Sequence, residues 1–110
     1  MEPIRRTVEE YITEDGRSPY YEWFSSKRLD GNARGRIRLR VTRIEDKGNY
    51  GDCGPVGEGV FELRFIGKGP GYRVYFGIDG NSVILLVGGD KSTQRADIRT
   101  AKAYWSDYNA

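Results

Sequence analysis

The chain has 110 residues, a formal net charge of +2 and 37% hydrophobic residues, with a mean hydropathy of -0.69. This length predicts one domain, 1–110, with a single modest core, and no apolar run is long enough to span a membrane. Because the sequence has no histidine and a single cysteine, Cys53, it excludes an internal disulfide, a typical zinc site and histidine-dependent nucleophiles. We expect a cytoplasmic protein with no cofactor and no metal.

The N-terminal part of the chain predicts a strand followed by a short helix. Residues 4–13 have moderate strand propensity and end at the turn signal of Asp15 and Gly16. Ser18 and Pro19 are typical of a helix start, with the serine as N-cap and the proline in the first turn. This helix is expected to carry three aromatic side chains into the core: Tyr20, Trp23 and Phe24.

The segment 30–47 fits two periodicities. Its middle part alternates basic and apolar residues like a strand, whereas helical spacing places four apolar residues on one face: Ala33, Ile37, Val41 and Ile44. Asp30 as an N-cap, Gly48 as a stop and the length of the segment favour a helix. Leu39 does not fit the apolar face of that helix.

A row of cations lies beside this apolar face, and we call it the basic ridge: Arg36, Arg40, Arg43 and Lys47. Between residues 27 and 47 the chain has eight basic and three acidic residues, so positive charge is concentrated there. Such a row is either a solvated helix face or a surface that binds a polyanion.

The segment 48–59 is dense in glycine and predicts a loop. After it, alternating apolar residues predict three consecutive antiparallel strands, at 61–65, 72–78 and 83–87. The third of these is apolar on both faces, as in a central strand that is covered on both sides.

A loop at 67–70 would bring apolar residues together across the first two strands. In that register Arg64 faces Arg73 and Glu62 faces Tyr75. Two opposing arginines lower stability unless an anion lies between them, so the pair is a candidate anion site. The alternative is that each arginine pairs with a local carboxylate on a solvated face.

The C-terminal part predicts a hairpin and a helix. Asp79 and Gly80 form the dipeptide that a two-residue hairpin turn prefers. The stretch 88–92 resembles a phosphate-binding loop, but its spacing does not satisfy that motif. The segment 92–108 predicts an amphipathic helix that covers one face of the sheet.

Four stretches together carry a family resemblance: GNYGDCGPVGEGVFELRF, GPGYRVYF, LLVGGDKSTQ and DIRTAKAYWSDY. In this order and at these separations they resemble the HigB-like addiction module killer proteins of the RelE/ParE toxin superfamily. The resemblance implies an α+β, RelE-like fold, with an N-terminal strand and two helices before the sheet. A three-strand antiparallel meander would then complete a four-stranded sheet, followed by a C-terminal helix. The resemblance therefore assigns segment 30–47 to a helix.

The resemblance also implies a function, that of the toxin in a type II toxin-antitoxin module. Such toxins cleave mRNA in the A site of the translating ribosome without metal, and a cognate helix-turn-helix (HigA-like) antitoxin inhibits them. When a ribose 2′-hydroxyl attacks the adjacent phosphate, cations must stabilise the added charge. Matched by position, these cations are Arg64, Arg73 and Lys91. The candidate general bases are Glu62, Tyr75 and Asp90, of which Asp90 is also a candidate cap for the final helix.

The basic ridge and Lys68, in the loop between the first two strands, are then expected to bind ribosomal RNA. The chain departs from the family pattern at Gly54, where lysine is common, and at Val60 and Glu62, where the better-known ribonucleases have lysines. Fewer cations would therefore surround the phosphate. Two alternatives stay open: a ParE-like poison of DNA gyrase, and a non-catalytic member that only binds its antitoxin.

Overall fold

The computed structural model describes residues 4–67 and 69–110. The strands are β1 (Thr7–Glu10), β2 (Cys53–Gly57), β3 (Val60–Arg64), β4 (Arg73–Asp79) and β5 (Ser82–Gly89). The helices are α1 (Pro19–Phe24), α2 (Gly31–Lys47) and α3 (Gln94–Tyr108), and a 3-10 turn (Lys91–Thr93) precedes α3. Within the described ranges, no helix is long and apolar enough to cross a membrane.

The sheet has five strands in the order β1-β5-β4-β3-β2. β1 pairs with β5 in parallel, and the other neighbouring strands are antiparallel. The α+β class is confirmed, but the prediction of a four-stranded sheet is wrong because β2 forms inside the segment predicted as a loop. β2 is an edge strand. Proline has no backbone N–H group to donate, and Pro55 is therefore tolerated at this position.

Capping residues explain where the first two helices begin and end. The hydroxyl of Ser18 accepts a hydrogen bond from the amide of Tyr21 at 3.1 Å, and the carboxylate of Asp30 accepts one from the amide of Ala33 at 2.8 Å. Gly48 ends α2 in the left-handed conformation, with φ 63°. Segment 30–47 is therefore helical, as its length and caps predicted.

Each face of the sheet has its own hydrophobic cluster. Helices α1 and α2 cover one face with Tyr20, Trp23, Ile37 and Ile44, and α3 covers the other with Ala101 and with partly buried Ile98, Trp105 and Tyr108. Two close contacts depend on glycine, because a Cβ at Gly88 would overlap the ring of Trp23 and one at Gly77 would overlap Trp105. The core roles of the α1 aromatics and of α3 are thus confirmed.

The pairing of β3 with β4 follows the predicted register. Arg64 pairs with Arg73 and Glu62 with Tyr75. The next hairpin differs from its prediction by one residue, since β4 and β5 pair through the last residue of one strand and the first of the other. Its two turn residues are consequently Gly80 and Asn81, and of these Gly80 has positive φ.

Candidate active site

Glu62 lies between the two opposing arginines. Its Oε1 is 3.1 Å from Nε of Arg64 and its Oε2 is 3.9 Å from Nε of Arg73. The residue is only 4% exposed, because α3 covers the sheet face that alternation had predicted to be polar. The anion that the arginine pair requires is therefore supplied by the chain itself.

Gln94, the first residue of α3, completes the hydrogen bonding of this carboxylate. Its Nε2 donates to Oε2 of Glu62 at 3.0 Å and to Oε1 at 3.3 Å. The contact joins residues 32 positions apart, so no local sequence pattern indicated it. Both oxygens of Glu62 are engaged by groups of the protein.

Arg64 contacts a second carboxylate on its outer side. Its Nη1 is 3.2 Å from Oδ1 of Asp52, whose side chain is 42% exposed. The hydrogen bond to Glu62, followed by that to Asp52, raises the pKa of Arg64 above its ordinary value. The guanidinium lies over Gly54 of β2, where a Cβ would overlap Nη2 of Arg64. Sequence reasoning assigned Asp52 no role in the site and marked Gly54 only as a position without the lysine common in the family, although the density of glycine before β3 was a signal of close packing.

Arg73 is more deeply buried than Arg64. Its side chain is 12% exposed, and Nη1 donates to the carbonyl oxygens of Gly71 and Tyr72, each at 3.1 Å. Its Nε is buried and has no hydrogen-bond partner among the described residues. These contacts fix the guanidinium beside Glu62.

The Cβ of Lys91 lies close to the guanidinium of Arg73. A Cβ built on Gly71 would lie 3.3 Å from the Cβ of Lys91 and 3.5 Å from Nη1 of Arg73, so the two side chains flank one glycine. The Lys91 amide donates to the carbonyl of Pro70 at 3.3 Å, which joins the 3-10 turn to the β3–β4 loop. Lys91 is exposed, and its Cβ lies on the same glycine as the guanidinium of Arg73.

Tyr75 is fully buried and lies across from Glu62. Its hydroxyl has no hydrogen-bond partner among the described residues. Burial raises the pKa of Tyr75, and the negative charges of Glu62 and Asp97 raise it further. The side chain is therefore a neutral phenol at physiological pH, and this disfavours it as a base.

Asp90 caps the 3-10 turn, not α3 itself as its sequence position had suggested. Its Oδ1 accepts from the amide of Ser92 at 2.8 Å and also from the Ser92 hydroxyl. Oδ2 lies 3.6 Å from Nη2 of Arg28. The hydrogen bond from the Ser92 hydroxyl lowers the pKa of Asp90, and the charge of Arg28 lowers it further. Its contacts are those of a capping residue.

Arg40 does not belong to an open row of cations. Its guanidinium donates to the backbone carbonyls of Arg64 at 2.8 Å, Tyr50 at 2.9 Å and Asp52 at 3.0 Å, and it lies over the ring of Phe65. Burial lowers the pKa of Arg40. This arginine connects α2 to the sheet behind the candidate site. We therefore no longer count Arg40 among the cations that a polyanion could contact.

The remaining cations of the basic ridge differ in their exposure. Arg36 lies over the ring of Tyr72 and is half-buried, whereas Arg43 and Lys47 are exposed. Lys68 lies outside the described residues. A role for this surface in binding RNA stays a prediction.

Comparison with known proteins identifies the family. The family described as Phage derived protein Gp49-like (DUF891) matches residues 23–105. An uncharacterized protein of Haemophilus influenzae is 47% identical over 83 residues, which cover 74% of this chain and 82% of the relative. No solved structure matches the chain significantly. The chain therefore belongs to the Gp49-like family, a family of RelE/HigB-type toxins whose membership implies an antitoxin partner.

Proposed function

We propose that this toxin is a metal-independent endoribonuclease that cleaves mRNA in the A site of the translating ribosome and so inhibits translation. The observation that supports this proposal is the cross-strand pair of Arg64 and Arg73, together with the Cβ of Lys91 close to Arg73. Glu62 already lies between the two arginines, so a phosphate would bind on their outer side, where it would meet three cations from two adjacent strands and the turn before α3.

The arrangement suits cleavage by the ribose 2′-hydroxyl. As its oxygen attacks phosphorus, negative charge grows on the non-bridging oxygens, and preorganised cations stabilise that charge. Arg64 and Arg73 supply the cations in a fixed geometry. Lys91 is exposed, and we expect it to protonate the 5′-oxygen as the bond of that oxygen to phosphorus breaks. The products are a 2′,3′-cyclic phosphate and a free 5′-hydroxyl.

Ribosome dependence would come from binding rather than from the chemistry. Arg36, Arg43 and Lys47 lie on α2, and we expect these ridge residues to bind ribosomal RNA. The partner that inhibits the toxin would be a helix-turn-helix, HigA-like antitoxin encoded beside it. Both processes would take place in the cytoplasm, where ribosomes and antitoxin are found.

Induction of the toxin in cells, followed by mapping of mRNA 5′ ends on isolated ribosomes, tests the proposal. We expect new ends within the A-site codon and intact chromosomal DNA. Broken DNA without mRNA cuts would show a gyrase poison instead. Neither effect, together with stable antitoxin binding, would show a non-catalytic member of the family.

A further inference from the structure

We propose that Asp52 is the general base of the endoribonuclease site, an assignment that rests on the proposed function. Asp52 directly precedes β2 and contacts the guanidinium of Arg64 on its outer side. Glu62 contacts the same guanidinium on its buried side. Arg64 thus lies between two carboxylates, one buried and one open to solvent.

The burial of Glu62 argues against its use as the base. A general base must come within hydrogen-bond reach of the proton it accepts. Glu62 is 4% exposed, and its two oxygens are occupied by Arg64 and Gln94. A ribose hydroxyl could reach this carboxylate only by displacing protein groups. We assign Glu62 to positioning of the arginines.

Asp52 meets the requirement for access. Its side chain is 42% exposed, and its Oδ1 lies 3.2 Å from Nη1 of Arg64. Its Oδ2 has no hydrogen-bond partner among the described residues. A phosphate that binds the open side of Arg64 therefore places the neighbouring 2′-hydroxyl next to a carboxylate that can accept its proton.

The backbone of Asp52 is held firmly although its side chain is exposed. Its carbonyl oxygen accepts from the amide of Arg64 at 2.9 Å and from Nη2 of Arg40 at 3.0 Å. Asp52 and Arg64 are consequently locked to each other through main-chain as well as side-chain contacts. Such rigidity is what a catalytic pair needs, since small displacements of reacting groups are costly in rate.

The step balances as a proton transfer coupled to substitution at phosphorus. Asp52 accepts the proton of the 2′-hydroxyl while that oxygen forms its bond to phosphorus. The bond from phosphorus to the 5′-oxygen breaks, and Lys91 donates a proton to the leaving oxygen. The cycle closes when the carboxyl of Asp52 and the amine of Lys91 exchange protons with solvent.

Single-turnover cleavage on ribosomes programmed with a defined mRNA tests the assignment. Asp52→Asn keeps the shape and an acceptor oxygen but removes the basic group, so we expect a rate loss of about 100-fold or more with ribosome binding retained. The pH dependence of the single-turnover rate should differ between the wild-type protein and the variant, because the variant lacks the group that accepts the proton. Glu58→Gln is the control, because Glu58 is exposed at 72% and pairs with Lys102 away from the site.

Each outcome separates this assignment from the proposed function. A wild-type protein that cleaves, beside an Asp52→Asn variant that cleaves equally fast with the same pH profile, would overturn the role of Asp52 alone. Failure of the wild-type protein to cleave would overturn the proposed function, and the role of Asp52 with it. Asp52→Ser carries the same expectation and replaces Asp52→Asn if that variant does not fold.

Discussion

The side-chain amide of Gln94 donates to both carboxylate oxygens of Glu62, at 3.0 and 3.3 Å. This contact connects the first turn of α3 to the middle of β3 and completes a buried counter-ion for Arg64 and Arg73. The final helix therefore does more than cover the sheet, because it supplies the group that orients the carboxylate between the arginines.

Replacing Gln94 by leucine tests this relationship. The variant keeps the size of the side chain but leaves a buried carboxylate without two hydrogen bonds, and we expect a loss of about 1–3 kcal/mol in the free energy of unfolding. Cleavage should slow while ribosome binding is retained. Urea denaturation measures the first effect, with Arg95→Leu on the adjacent, exposed position as the control. Equal stability of the two variants would show that the Gln94 contact contributes nothing.

Removing Glu62 should be more damaging than removing Gln94. Glu62→Ala leaves Arg73, which is 12% exposed, without its counter-ion, and loss of one partner from a buried ion pair typically costs about 3–5 kcal/mol. Thermal and urea unfolding check this value. Glu58→Ala, which removes an exposed carboxylate, should change stability by less than about 0.5 kcal/mol. A Glu62→Ala protein as stable as Glu58→Ala would contradict the counter-ion role.

Alanine at two different glycines should affect different properties of the protein, cleavage in one case and stability in the other. A methyl group at Gly54 would overlap the guanidinium of Arg64, whereas nothing lies within 4 Å of a Cβ at Gly35, inside α2. We expect Gly54→Ala to displace Arg64 and slow cleavage. Gly35→Ala should raise the free energy of unfolding by about 0.5–1 kcal/mol, as expected for a helix interior, without affecting cleavage. Rates and urea midpoints of both proteins decide the comparison.

The basic ridge should divide into binding and structural members. Charge reversal at Arg36 and Arg43 should weaken ribosome pelleting and flatten its dependence on salt, since fewer counterions are released. Arg40→Glu should instead lower the melting temperature, because it breaks three hydrogen bonds to backbone carbonyls. If ribosome pelleting by the Arg36 and Arg43 variant depends on salt as strongly as pelleting by the wild-type protein, these residues form only a solvated helix face.

Some parts of this fold follow from local sequence patterns. The caps Ser18 and Asp30, the C-terminal Gly48 and the register that places Arg64 opposite Arg73 were all predictable, because each depends on residues close in the chain or on simple alternation. The existence of β2 was not predictable in this way. Its residues have low strand propensity and pair only because β3 is adjacent.

The interior of the site depended on tertiary contacts that alternation cannot show. Glu62 and Tyr75 occupy the face of their strands that reads as polar, yet α3 buries both. Gln94 and Asp52 reach Glu62 and Arg64 from other elements, across 32 and 12 positions of the chain. The arginines were predictable from the strand pattern, and pairing with a local carboxylate was one of the two alternatives, but the burial of Glu62 and its contact with Gln94 were not predictable.

The most direct test of cation-assisted cleavage compares wild-type protein with Lys91→Ala on ribosomes that hold a defined codon in the A site. Lys91 is exposed, so its removal should leave the melting temperature unchanged and slow the single-turnover rate by about 100-fold. Lys27→Ala, at another exposed lysine, should cleave at the wild-type rate. Uncut mRNA with the wild-type protein, or equal rates for all three proteins, would contradict the proposed site.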